Sequence, residues 1–243
     1  MTPHPLPEHE IRRLRAVARD EAHLRSLVER RLDGEPLQYL ERTAAFAYLD
    51  LVVDERVLVP RPETEGLYEL ACRLASDPKV IVDLCTGSGA LALSLKQAFP
   101  AAEVHATDIS ADALDVARLN AGRTGLEVSW HQGDLFEPLP DSLRGKVDLL
   151  VANPPYVAEH EFEDLPVDVK REPRVALIAG PTGLEIVERI GAEAARWLKS
   201  GGVVIVEIGE TQGEAAAACF DGIPAEVRKD LAGKDRYVVG VRP

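Results

Sequence analysis

The stretch Val80-Ile81-Val82-Asp83-Leu84-Cys85-Thr86-Gly87-Ser88-Gly89 decides the fold. Its first five residues are apolar and β-branched around a single acid, the composition of a buried strand. They run into a turn with two glycines, and the apolar residues from Ala90 onward read as a helix. Gly87 and Gly89 let the backbone approach a ligand with no Cβ in the way. The helix that follows points free N–H groups back at the turn. A plain strand-to-helix connection needs no more than this, and dinucleotide-binding turns look similar. Two details narrow the reading. Leu91 and Ala92 follow where a third glycine of the dinucleotide pattern would fall. Asp83 stands on the strand just ahead of the turn, where a carboxylate suits a cationic amino acid moiety better than a pyrophosphate.

Outward from this unit, strands and helices alternate. A helix is expected over residues 64–76, and a helix from Ala90 follows the turn. Further strands are expected at Val104 to Thr107, Leu126 to Trp130, Val147 to Val151 and Val203 to Ile208. Helices should cover Ala111 to Ala121, Leu184 to Leu198 and a run from Thr211, with final strands near Ala225 to Val227 and Tyr237 to Val241. A proline-rich acidic loop spans residues 157–181. Repeated strand–helix units with apolar strands predict an α/β, doubly wound, mostly parallel sheet covered on both faces. Two zones precede it. In residues 1–42, Ile11, Leu14, Val17, Leu24, Leu27, Val28 and Leu32 recur at helical spacing, as one amphipathic helix or two broken near Asp20. Residues 43–62 read as a β-hairpin linker, with Phe46 to Val53 and Val57 to Val59 as arms and Asp54-Glu55-Arg56 as the turn. The sheet domain then occupies residues 63–243.

Composition excludes several classes of protein. The 243 residues are 46% hydrophobic and 28% charged, which suits a folded chain with a large core. No apolar run approaches the roughly 20 residues that span a bilayer. The first 20 residues lack a signal-type apolar segment, so a cytoplasmic protein is expected. The net charge of −13 disfavours nucleic acid as the main substrate, because phosphates demand a basic surface. Cys72, Cys85 and Cys219 stand apart, and the six histidines are scattered, so we expect reduced thiols and no metal.

Three carboxylates stand at or just beyond the ends of three successive strands, about 25 residues apart: Asp83, Asp108 and Asp134. An acid at the end of the second strand can accept hydrogen bonds from both hydroxyls of a ribose. In Gly133-Asp134-Leu135, the acid can accept from an exocyclic amine while Leu135 packs on a flat ring. The fourth strand ends in Ala152-Asn153-Pro154-Pro155-Tyr156. Two prolines fix the backbone and remove two donors, leaving a stiff corner rich in acceptors. The Asn153 side-chain oxygen and the Pro154 carbonyl can accept both hydrogens of a planar NH2 group, and Tyr156 can stack on it. Such a corner catalyses by positioning and electrostatic support.

The strand–Asp83–Cys85 to Gly89 turn with Asp108 and Gly133-Asp134 is similar to the way class I methyltransferases hold S-adenosyl-L-methionine. Asn153-Pro154-Pro155-Tyr156 resembles the signature of methyltransferases acting on exocyclic amino groups of bases and on glutamine amides. The flanks narrow the resemblance: Gly34-Glu35-Pro36-Leu37-Gln38-Tyr39-Leu40, Pro60-Arg61-Pro62-Glu63-Thr64-Glu65, Glu172-Pro173-Arg174-Val175-Ala176-Leu177 and Glu207-Ile208-Gly209-Glu210-Thr211-Gln212. In this order, they resemble the release-factor glutamine N5-methyltransferase family from about Gly34 to the C-terminus. The resemblance implies a seven-stranded Rossmann-like sheet, S-adenosyl-L-methionine as cofactor and S-adenosyl-L-homocysteine as product. It implies that Asp83, Cys85, Thr86, Gly87, Ser88, Gly89, Asp108, Asp134, Leu135 and Asn153 bind the cofactor. Asn153, Pro154, Pro155 and Tyr156 would hold the substrate, with Asn153, Pro154 and Tyr156 catalytic. The partner implied is a class 1 peptide-chain release factor methylated on its Gly-Gly-Gln glutamine, by an enzyme acting as a monomer. A ribosomal-protein glutamine and a nucleic-acid adenine N6 remain the alternatives, as does a non-catalytic adapter. The family carries glycine at the position of Cys85, where only a backbone adjustment is expected. It also carries a longer helical domain than residues 1–42 supply, one that helps to dock the substrate.

Overall fold

The structure, a computed structural model, describes residues 6–243. The first five residues of the expected helical zone therefore lie outside the described residues. The rest of that zone forms three helices: α1 (Glu8–Val17), α2 (Glu21–Leu32) and α3 (Leu37–Glu41). The break falls where Asp20 caps α2, its carboxylate accepting the His23 N–H at 2.7 Å. Gly34, at a φ of 91°, ends the second helix, and a Cβ there would meet Val167 at 2.4 Å. Leu14, Leu24, Leu27, Leu37 and Leu40 bury one another in a small core of their own.

The hairpin exists, but its turn lies elsewhere. Strands β1 (Ala44–Phe46) and β2 (Leu49–Leu51) pair antiparallel, with Phe46 opposite Leu49. The turn falls at Ala47, which takes a φ of 49° without the glycine or asparagine that usually marks such a position. Val57 to Val59 is therefore not a strand arm. Its backbone is satisfied by side chains: the Tyr39 hydroxyl donates to the Val57 carbonyl at 2.5 Å, and the Val59 N–H donates to Glu172 at 2.9 Å. Val53, Val57 and Val59 pack onto Ala113 and Val116.

The main unit begins with α4 (Pro62–Leu74), which carries proline at its first position, where no N–H is needed. Then follow β3 (Val80–Leu84), α5 (Ala90–Ala98), β4 (Glu103–Asp108), α6 (Ala111–Thr124), β5 (Ser129–Gln132), β6 (Val147–Ala152), β7 (Val157–Ala158) and β8 (Ile178–Gly180). The chain closes with α7 (Glu185–Trp197), β9 (Leu198–Glu207), α8 (Gly213–Ala217), β10 (Ala225–Lys229) and β11 (Asp235–Val241). Seven strands form one sheet in the order β10-β11-β9-β6-β3-β4-β5. All neighbours pair parallel except those of β11, which runs against β9 and β10. Side chains alternate across it. Ile81, Leu149 and Ile205 face α4 and α5, while Val82, Leu150 and Val204 face α7 and α8.

The starts of two expected strands shift. β5 starts at Ser129 rather than Leu126, because α6 runs on to Thr124 and Gly125 caps it at a φ of 69°. Leu126 and Val128 then pack on the core from the connecting loop. β9 starts at Leu198, ahead of Gly201-Gly202, where a Cβ on Gly202 would meet the Val147 carbonyl at 2.7 Å. The loop over residues 157–181 is also not structureless: β7 and β8 pair within it.

Candidate active site

From β3, the chain moves outward through β4 and β5, then returns to β6 on the opposite side of β3. The reversal opens a crevice at the carboxyl ends of β3 and β6, where ligands bind in doubly wound sheets. A cavity lies there. Asp83, Cys85, Thr86, Gly87, Ser88, Asp108, Asp134, Leu135, Asn153 and Pro155 all line it. Gly89, Pro154 and Tyr156 sit outside that lining.

The turn after β3 is braced from within. Asp83 is fully buried; one carboxylate oxygen accepts the Thr86 hydroxyl at 2.5 Å and the Ala92 N–H at 3.2 Å. Its other oxygen, Oδ1, has no hydrogen-bond partner among the described residues. Burial pushes the Asp83 carboxyl up to about 7. Cys85 keeps the left-handed backbone that glycine adopts freely, at a φ of 58°. The neighbouring Thr86 N–H is held by the Thr107 carbonyl at 3.0 Å. Burial, then Asp108, raises the Cys85 thiol well above its ordinary value. Gly87 has a φ of 55° and open space where a Cβ would project, a cradle that any side chain would fill. Gly89 is required for packing instead: a Cβ there would press on Trp130 at 3.0 Å.

Asp108 ends β4 and accepts the Gly87 N–H at 2.8 Å and the Ser110 N–H at 2.9 Å. Each oxygen keeps a further lone pair. Burial raises its carboxyl above the usual range against the pull of these donors. Ser110 caps α6 through the Ala113 N–H. Asp134 is paired with Arg189 of α7 at 2.8 Å. Leu135 is buried at a φ of 48°.

Asn153 follows β6, and its Nδ2 donates to the Thr64 hydroxyl oxygen at 3.0 Å. Thr64 in turn donates to Glu207 at 2.8 Å. Tyr156 lies beside Glu207, where burial and then the Glu207 charge raise its hydroxyl above the ordinary range. Its carbonyl accepts from Gln212 Nε2 at 2.9 Å. Gln212 also donates to the Gly183 carbonyl at 3.0 Å and accepts the Gly209 N–H at 2.8 Å, so one amide ties three loops.

Sequence reasoning missed several residues around this cavity. Thr64 and Glu207 lie in stretches quoted only for their resemblance, and nothing local marks them as partners of Asn153. Ile109, half exposed, lines the cavity beside Asp108; an apolar residue ahead of the α6 cap was the available signal. Pro173, Val175 and Ala176 roof it from the loop before β8. That roof is latched by Glu172, which is buried and accepts from both the Val59 N–H and the Arg61 guanidinium.

This sheet order, with one reversed strand and a glycine turn at the switch point, is the class I methyltransferase fold. A methyltransferase from Pyrococcus furiosus superposes with a TM-score of 0.60 at 20% identity, over 80% of this chain and 89% of that one. The methyltransferase small domain family matches residues 67–168. The release factor glutamine methyltransferase of Deinococcus radiodurans is 41% identical, over 90% of this chain and 78% of its own length. The ribosomal protein uL3 glutamine methyltransferase of Burkholderia pseudomallei is 40% identical, over 82% of this chain and 68% of its own length. The chain belongs to the release factor glutamine methyltransferase family. No helix among the described residues is long and apolar enough to cross a membrane.

Proposed function

We propose that this protein methylates the side-chain amide nitrogen of the Gly-Gly-Gln glutamine in class 1 peptide-chain release factors, using S-adenosyl-L-methionine. The observation that carries the reading is the anchoring of Asn153 by Thr64 in the same cavity as the glycine turn. The cavity's donor set suits the cofactor: Asp83 offers an unpartnered buried oxygen, and Gly87 leaves a cradle. Asp83 and the Cys85 to Ser88 turn would hold its amino acid end, with Gly89 starting the helix behind. Asp108 would take the ribose; Asp134, Leu135 and Ile109 would take the adenine. The bound cofactor supplies an electrophilic methyl group and leaves as S-adenosyl-L-homocysteine.

The protein's own residues do the rest. With Nδ2 engaged, Asn153 Oδ1 is the acceptor left for one amide hydrogen, and the Pro154 carbonyl takes the other. Holding both hydrogens aims the nitrogen lone pair and supports the positive charge that develops there. The nitrogen gains a methyl group and sheds one proton to water. Pro155, Val175 and Ala176 give the cavity apolar walls around the site. With a charge of −13, adenine in nucleic acid is the weaker substrate.

The test incubates purified protein and methyl-labelled cofactor with unmodified release factor, ribosomal protein uL3 and DNA in parallel. Label on the Gly-Gly-Gln glutamine is expected. Transfer to uL3 or to adenine, with none to the release factor, overturns the assignment.

A further inference from the structure

Asn153 does not stand alone behind the cavity. Its Nδ2 meets Thr64 Oγ1 at 3.0 Å, and Thr64 Oγ1 meets Glu207 Oε2 at 2.8 Å. Thr64 lies in the first turn of α4 and Glu207 at the end of β9, 143 residues later; they are 4% and 1% exposed. A hydroxyl has one hydrogen to give. While Glu207 is ionised it can only accept, so Thr64 must donate to it. The Thr64 oxygen then has only lone pairs for Asn153, and the amide must present its NH2. The amide oxygen is thereby turned away from Thr64 and left for the substrate. Were Glu207 protonated, it could donate to Thr64 and free the threonine hydrogen to point at Asn153. The amide could then reverse and offer the wrong end.

We propose that Thr64 and Glu207 are positioning residues for methyl transfer: a buried relay from the end of β9 that fixes which end of the Asn153 amide faces the substrate. The proposal rests on the reading of Asn153 as the acceptor for the substrate amide. The relay also strengthens that acceptor, since each bond in the chain polarises the next.

The environment of Glu207 gives the relay a pH signature. Arg236 and Tyr237 face it from β11, Glu63 from α4 and Tyr156 from the corner after β6. Arg236 favours the charged form but is shared with Asp230 at 3.3 Å and the Ile208 carbonyl at 3.4 Å. Burial dominates and raises the Glu207 carboxyl to about 7. Below that pH, the relay reverses and turnover falls.

The experiment measures kcat from pH 5.5 to 9 with cofactor and protein substrate saturating. Saturation removes Asp83, whose own ionisation acts on cofactor binding. Wild type should rise through one ionisation near 7, and Glu207→Gln should lose that limb. Thr64→Val should lower kcat at least about tenfold, with cofactor affinity within about twofold. Thr64→Ser restores the hydroxyl and should recover most of kcat, even if the valine variant folds poorly. A limb that survives in Glu207→Gln, or valine turnover equal to wild type, overturns the relay. Asn153→Ala separates the two ideas. If it is inactive while binding cofactor and Thr64→Val is normal, only the relay fails; if it is fully active, the reading of Asn153 fails with it.

Discussion

Cys85 holds a left-handed backbone at a φ of 58°, a conformation that costs a residue with a Cβ about 1–2 kcal/mol. It stays there because the neighbouring Thr86 N–H is committed to the Thr107 carbonyl and the Thr86 hydroxyl to Asp83. Glycine would relieve the strain but would also loosen the unfolded chain by about 0.5–1 kcal/mol. Cys85→Gly should therefore raise stability by a net of about 0.5–1 kcal/mol, read as a higher urea midpoint with an unchanged slope. Cys85→Val, stiff at Cβ, should lower it. A glycine variant no more stable than wild type would show that thiol packing against the α7 face outweighs the strain. The glycine turn was legible in the sequence because its glycines answer to local backbone geometry. The strain at Cys85 was not, since cysteine carries no backbone signal of its own.

The loop over residues 157–181 is the element whose role changed most between sequence and structure. Its prolines and acids read as a loop, yet the β7–β8 pair stiffens its ends and Glu172 buries itself as a latch on Val59 and Arg61. Removing the latch strands a buried N–H, at about 1–3 kcal/mol. Glu172→Ala should lower stability by that amount and speed amide exchange over residues 173–178, while the β3–β6 pair stays protected. Unchanged exchange there would mean that Pro173 to Ala176 are held by packing alone. The hairpin shows the same limit. Its β-forming residues pointed to a hairpin with its turn at Asp54-Glu55-Arg56, but the turn falls at Ala47 because the register follows the burial of Phe46 and Leu51, not a turn residue.

At the scale of the whole molecule, two fully buried carboxylates set the pH response. Asp83 and Glu207 are both raised to about 7, above ordinary values of 3.8 and 4.5. An acid raised by burial contributes stability that is full below its unfolded value and is lost as pH climbs through about 7. Asp54, lowered by Arg56, and Glu10, lowered by Arg31, act in the opposite sense and lose their contribution as pH falls below 4. The charge of −13 adds repulsion on the alkaline side. Thermal midpoints should therefore peak between about pH 5 and 6 and decline by pH 8. Asp83→Asn should flatten that decline. A midpoint still rising at pH 8 would show that the ion pairs dominate.

Chain order alone carried the strand–helix alternation, the glycine turn, the three strand-end carboxylates and the Asn-Pro-Pro-Tyr corner. Each is a local pattern, set by side-chain periodicity or backbone freedom within a few residues. Tertiary structure alone decided that Asn153 leans on Thr64 and, through it, on Glu207, and that Glu172 clasps Val59. These contacts join residues 89 to 143 positions apart, and hydrogen bonding between such partners depends on where the sheet brings the strand ends together. No local pattern encodes that meeting, because either partner alone has the composition of an ordinary helix start, loop or strand end.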